Sequence, residues 1–198
     1  SSTAGSAALT ELKYSPDNQL VAAAAADAHI YLLSVAKGYQ AVARCTGHSS
    51  AIRHLDWAAD SRTLMSNCAG YEVLHWAAPS GKQMLDPSRD TKWASWTCVL
   101  GFPVMGVWPD GADGTDINAL HRSHDGALLV VADDSGLVRL LNAPCVVDEA
   151  PSRDYNGHCA HVMCVRFSPR DDFVVTAGGR DRAVFQYRVV TTAGGRYE

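Results

Sequence analysis

The chain has 198 residues, 47% of them hydrophobic and 19% charged, which is enough apolar material for a sizeable core. A net charge of −4 excludes a global basic field, so neither nucleic acid nor an acidic membrane surface is expected as a partner. No run of about 18 apolar residues occurs, which excludes a helical membrane span.

Residues 1–8 are small and polar, without the basic start or apolar centre of a leader, and are expected to be a linker. A first unit, 9–44, opens with Leu9-Thr10-Glu11-Leu12-Lys13-Tyr14, which alternates with period two and predicts a half-buried strand. The alanine run that follows would favour a helix by propensity alone. It is short and lies between turn signals, so 20–26 is expected to be a buried strand of small side chains. Asp27-Ala28 turns the chain into a strand at 30–33, and Lys37-Gly38 turns it into one at 39–43. The second unit, 45–88, gives strands at 52–57, 63–67, 72–76 and 82–85. Residues 89–113 form an insertion carrying Trp93, Trp96, Phe102 and Trp108, and rings of this size predict an ordered segment packed over the sheets. The third unit, 114–145, gives strands at 116–121, 127–132 and 137–141, with a tight turn at Asp133-Asp134-Ser135-Gly136. The fourth, 146–190, gives strands at 161–167, 173–177 and 183–188 and no fourth strand; 191–198 is expected to be a polar tail.

One turn recurs between the first two strands of every unit. It reads Ser15-Pro16-Asp17-Asn18, Ala58-Ala59-Asp60-Ser61, Ser123-His124-Asp125-Gly126 and Ser168-Pro169-Arg170-Asp171. Its starts are 43, 65 and 45 residues apart, and the long interval holds the insertion. A period of about 40–45 residues is that of WD-type propeller blades. The fold class expected is therefore all-β, a WD-repeat β-propeller segment of about four blades within a larger propeller.

The side chains extend this resemblance. A WD-repeat blade carries a Gly-His before its first strand, an Asp in the turn before its third and an aromatic ending that third strand. The His and Asp form a buried polar network in which each group needs a partner. The fourth unit has His158, Thr176, Asp181 and Tyr187 at this spacing. The second has His48, Ser66 and Trp76, with Gly70 where the Asp would stand. The first keeps Asp27 but lacks the Gly-His, and the third lacks both Gly-His and aromatic.

A narrower resemblance lies in Gly47 to Trp57, in the run from Trp96 to Pro109 with its Trp, Cys, Gly and Trp-Pro, in Gly114 to Leu120 and in Gly157 to Gln186. These segments resemble the echinoderm microtubule-associated protein (EMAP)-like family, over residues 9–190. The aromatic insertion is the specific part, since generic WD repeats lack it. The resemblance implies the C-terminal blades of the family's tandem atypical propeller. It implies a non-enzymatic scaffold whose partners are tubulin or microtubules, in the cytoplasm, on the microtubule cytoskeleton or in a cilium or axoneme. Four units do not make the usual closed ring, and terminal blades of an open array expose apolar sheet. Further blades of the same protein, or a partner chain, are expected to complete it.

A basic rim offers a contact for an acidic partner such as tubulin. Arg180 and Arg182 lie in the fourth unit's tight turn, and Arg53 and His54 lie by the second unit. A solvated charged turn with no partner fits the same residues. The alternatives in function are a general protein-interaction propeller without tubulin contact and, in another class, an enzyme with a rim pocket. Against the latter, no G-x-S-x-G elbow or phosphate loop occurs. No cofactor is expected, and no metal. His158, Cys159, His161 and Cys164 lack finger spacing, Cys164 is expected on a strand face shared with Val162 and Arg166, and Asp110 to Gly114 lacks the later Glu of a calcium loop. The six cysteines are scattered, most of them in or beside apolar runs, and predict no disulfide framework.

Overall fold

The structure, a computed structural model, describes residues 7–85, 90–108, 110–113, 116–148 and 150–190. The linker positions 1–6, the tail at 191–198, and Pro109, Gly114 and Thr115 lie outside the described residues. The chain divides into two units, 1–98 and 99–198. No helix among the described residues is long and apolar enough to cross a membrane.

The first unit holds two four-stranded antiparallel sheets. One has the order β1 (Leu9–Tyr14), β2 (Leu20–Ala25), β3 (His29–Ser34), β4 (Gln40–Thr46). The other is β5 (Ile52–Trp57), β6 (Thr63–Cys68), β7 (Val73–Ala77), β8 (Lys82–Met84). The second unit begins with a 3-10 helix, Phe102–Val107, and then a sheet of β9 (Ile117–Arg122), β10 (Leu128–Asp133), β11 (Val138–Asn142) and β12 (Arg153–Tyr155). Its last sheet is β13 (Val162–Phe167), β14 (Phe173–Gly178) and β15 (Val184–Arg188). Within each sheet, neighbours in sequence are neighbours in space, the meander expected of propeller blades.

The recurring turn has one geometry in all four sheets. Its fourth residue donates to the carbonyl of its first: Asn18 to Ser15 at 2.8 Å, Ser61 to Ala58 at 3.0 Å, Gly126 to Ser123 at 3.0 Å, Asp171 to Ser168 at 2.9 Å. That fourth residue is left-handed every time, with φ of 58° at Asn18, 62° at Ser61, 77° at Gly126 and 58° at Asp171. Gly, Asn and Asp tolerate this region best, which explains much of the composition of the turn. A serine at the first position folds back on the loop: the Ser15 hydroxyl donates to Asp17 at 2.6 Å and accepts from Leu20 N–H at 3.0 Å. Ser123 does the same with Asp125 at 2.6 Å and Leu128 at 2.9 Å.

The turns also join neighbouring sheets within each unit. Asp17 N–H donates to Ser61 Oγ at 3.1 Å. His124 and Asp125 N–H donate to Asp171 at 2.7 and 3.0 Å, and the His124 ring adds a contact of 2.7 Å. Asp171 lies below its ordinary pKa; burial would raise it, but the His124 and Asp125 donors outweigh that.

Each unit has its own core. In the first, Ala22, Ala24, Ile30, Leu32 and Cys45 pack against Ile52, Leu55, Trp57, Leu64, Cys68 and Trp76. In the second, Ala119, Leu128, Val130, Ala132, Val138 and Leu140 pack against Val162, Val165, Phe167 and Val174. Ala22 to Ala25 are fully buried within β2, so tertiary packing overrides their helix propensity.

Three expectations need correction. The third sheet has a fourth strand, Arg153–Tyr155, which pairs with Val138 to Leu140, although its residues were expected within the fourth unit. A strand of three residues is too short to show alternation. Cys164 does not share a face with Val162: a bulge lies between them, Val162 is buried and Cys164 is exposed. The aromatic segment does not behave as one element. Trp93 and Trp96 pack in the first unit, whereas Phe102 belongs to the second and is 66% exposed. Phe102 is the first residue of a short 3-10 turn and points out of it, while the backbone makes the close contact. Gly106 sits so near the Val147 carbonyl that an added Cβ would lie 2.1 Å from it.

Candidate functional site

All four sheets carry side-chain networks at the turns, built from different residues; in the third, Asp133 accepts from Ser135 N–H at 3.0 Å, Ser135 Oγ at 2.7 Å and Leu137 N–H at 3.0 Å. In the fourth sheet, His158 Nδ1 is 2.7 Å from Asp181 and its Nε2 is 2.8 Å from Thr176. The His158 hydrogen bond and the Ala183 N–H hold the Asp181 carboxyl below its ordinary range. Tyr187 stands where the second sheet has Trp76. Its ring lies 6.0 Å from Tyr155 and 6.5 Å from Phe185, but no hydrogen-bond partner is found for its buried hydroxyl among the described residues. Burial raises the pKa of that phenol.

In the second sheet, Trp76 Nε1 donates to Ser66 Oγ at 2.8 Å and His48 Nε2 lies 2.6 Å from the same oxygen. The acidic partner is Glu72, two residues beyond Gly70: its Oε2 is 3.1 Å from His48 Nδ1 and accepts from Ser49 N–H at 2.9 Å. Sequence reasoning missed Glu72 because the motif expects a shorter Asp at a fixed place. The longer side chain reaches the same histidine nitrogen from just before β7. In the first sheet, Asp27 accepts from Tyr31 at 2.7 Å and from His29 N–H at 3.1 Å. It caps its own turn without a histidine from before the sheet.

The proposed rim divides between the two units. Arg180 and Arg182 are both exposed on the turn that Asp181 anchors through Ala183 N–H at 3.2 Å, and Arg182 has φ 52°. Arg53 is exposed on β5 and His54, next to it, is half-buried. Only the arginine pair shares one loop.

A larger polar cluster, also missed, ties β1 and β5 to the segment after β8. Asp56 is fully buried and accepts from Lys13 at 2.9 Å, Ser95 at 2.6 Å, Thr97 N–H at 2.6 Å and Cys98 N–H at 2.8 Å. Lys13 also donates to Thr97 and to the Leu55 carbonyl, and Trp57 Nε1 reaches the Lys13 carbonyl at 3.1 Å. Burial would raise the Asp56 pKa, but the Lys13 charge and the Ser95 and Thr97 hydrogen bonds outweigh it and hold it at about 2. For Lys13, burial would lower the pKa, and the Asp56 and Glu11 carboxylates more than restore it.

A carboxyl whose folded pKa is depressed stabilises the fold above its unfolded pKa and loses that contribution as pH falls through the folded value. The Asp56 contribution, about 2 kcal/mol, is therefore complete above about pH 5 and lost toward about pH 2. Thermal melts across this range should show Asp56→Asn with a flatter acid dependence than the native chain. Parallel slopes for the two would remove Asp56 as the acid-labile group.

The profile of the echinoderm microtubule-associated protein second β-propeller matches residues 2–189. The chain is 47% identical over 194 residues to mouse (Mus musculus) echinoderm microtubule-associated protein-like 3, covering 95% of this chain and 22% of that protein. It is 47% identical over 192 residues to the rat (Rattus norvegicus) protein-like 2, covering 94% of this chain and 30% of that one. It thus spans less than a third of the length of these relatives. Among solved structures, the β-propeller domain of Myceliophteria thermophila Cps50 (Swd1) superposes with a TM-score of 0.69 at 14% identity, over 98% of this chain and 70% of that one, which supports the propeller fold alone. With a propeller profile matched along nearly all its length and relatives this similar, the chain belongs to the echinoderm microtubule-associated protein-like family.

Proposed function

We propose that this chain is part of a non-catalytic microtubule-associated scaffold, and that it contacts tubulin through the loop carrying Arg180 and Arg182. The observation that carries this reading is the loop itself. Two solvent-facing guanidinium groups flank Asp181, whose carboxylate is tied to His158 and to Ala183 N–H, so both arginines stand on a fixed backbone. On a chain of net charge −4 such a pair is a local basic feature able to meet an acidic surface. Arg53 and His54 are a second basic element on the other unit. Further blades of the same protein are the partners that complete the propeller. The location that follows is the cytoplasmic or ciliary microtubule cytoskeleton.

The test is pelleting with taxol-stabilised microtubules at low and physiological salt, beside a longer chain carrying further blades. Salt-sensitive pelleting is expected, and Arg180→Glu/Arg182→Glu should weaken it by about fivefold or more. Pelleting that the double substitution leaves untouched would move the contact off this loop. If neither chain pellets, this region is a propeller that docks other proteins without touching tubulin.

A further inference from the structure

His48, Cys68 and Glu72 bring an imidazole nitrogen, a sulfur and a carboxylate oxygen within 4.8 Å of one another. Glu72 Oε2 is 3.1 Å from His48 Nδ1 and 3.1 Å from Cys68 Sγ. We propose that this cluster is a zinc-type divalent-metal site, with His48 Nδ1, Cys68 Sγ and Glu72 Oε2 as protein ligands and water in a fourth position. The proposal is independent of the tubulin reading and goes beyond it.

The ligand set is a mixed nitrogen, sulfur and oxygen one that zinc accepts. Bonds of about 2.0–2.3 Å in a tetrahedron put ligand atoms roughly 3.3–3.6 Å apart, a few tenths of an ångström from the separations seen between Glu72 and its two neighbours. The side chain of Glu72 is 34% exposed, so it can make that adjustment and it marks a path for the ion from solvent. Gly70 leaves room beside the buried sulfur: a Cβ there would lie 2.9 Å from Ser49 Oγ and 3.4 Å from Cys68 Sγ. Its N–H points at the sulfur from 3.3 Å, a donor suited to a thiolate.

The groups behind the ligands fit as well. A metal-bound histidine donates its other ring N–H to an acceptor that fixes the ring. For His48 that acceptor is Ser66 Oγ, 2.6 Å from Nε2, which also accepts from Trp76 Nε1 and can turn its own proton to the Leu74 carbonyl at 3.4 Å. Without metal, the proton sits on Nδ1 and goes to Glu72, and Nε2 accepts from Ser66. Both states therefore satisfy the His48 ring and the Ser66 hydroxyl, and they differ by the ring tautomer and one thiol proton released to solvent.

The fourth sheet is an internal contrast. His158 has the same two kinds of partner, but the residue two beyond Thr176 is Gly178, where the second sheet has Cys68 two beyond Ser66. The sulfur is what makes the second sheet's network a ligand set.

Cobalt(II) titration of the reduced 198-residue chain tests this. The expected result is one equivalent bound, with sulfur-to-cobalt charge-transfer absorption and tetrahedral visible bands that zinc abolishes. Cys68→Ser should remove the charge-transfer band, and Cys159→Ser/Cys164→Ser should leave it unchanged. Glu72→Gln, a variant that keeps the thiol and the residue's size, should lose about tenfold or more in affinity. The proposal is overturned if no band forms, if the band survives Cys68→Ser, if it disappears with the exposed cysteines, or if Glu72→Gln binds as the native chain does.

Discussion

Asp56→Ala is expected to cost about 3–5 kcal/mol, measured as a drop in the urea midpoint at constant m-value. The carboxylate is fully buried and receives hydrogen bonds from Lys13, Ser95, and the N–H groups of Thr97 and Cys98. Truncating it leaves a largely buried ammonium without its closest counter-charge and two backbone donors without an acceptor. Loss of one partner of a buried pair costs more than loss of both, because the uncompensated charge remains. Lys13→Met should therefore be costly alone, and Lys13→Met/Asp56→Ala should fall well short of the sum of the single effects. Strict additivity, or an Asp56→Ala cost below about 1 kcal/mol, would mean that the cluster does not hold the segment after β8 to the sheets.

Trp76→Ala is expected to cost a similar amount, about 3–5 kcal/mol. The indole is 1% exposed in the first unit's core and its Nε1 donates to Ser66 Oγ. Its ring centre lies 5.8 Å from that of His48, and Gly47 passes so close that a Cβ there would be 3.1 Å from the indole edge. Collapse into the space is restricted because the neighbours are strands fixed in register. Trp76→Phe separates the two contributions. It keeps most of the ring and removes the donor, so it should cost about 1–2 kcal/mol. If Phe costs as much as Ala, the hydrogen bond to Ser66 outweighs the buried area, and the order of the two contributions is reversed.

The repeat was legible because its turn demands particular backbone states. A left-handed fourth position selects Asn, Ser, Gly or Asp, and a folded-back hydroxyl selects Ser at the first, so both leave a mark in composition. Of the strands that flank it, β1 alternates, whereas β2, β6 and β10 are buried almost throughout and were marked by the turn signals that bound them. Arg153–Tyr155 left no such mark because three residues cannot display a period. Glu72 was hidden for a different reason: the network requires an oxygen near His48 Nδ1, and a longer side chain supplies it from another position. Asp56 was legible only as an acidic residue within an apolar strand. Its partners are 39–43 residues away in sequence, at Lys13, Ser95 and Thr97, and no local pattern joins them. The bulge before Cys164 inverted a facing rule that assumes strict alternation. Family resemblance reached the fold through the same turns and histidines, but carried no information on these compensating contacts.

The link between neighbouring turns has a direction. In each unit the earlier turn gives backbone N–H groups and the later turn gives a side-chain oxygen, Ser61 in one case and Asp171 in the other. A contact between unlike surfaces is heterologous, and such contacts extend by repeating one rotation, whereas a twofold axis would set donor against donor. The pair of sheets in each unit therefore has a leading and a trailing member before any outward residue is considered.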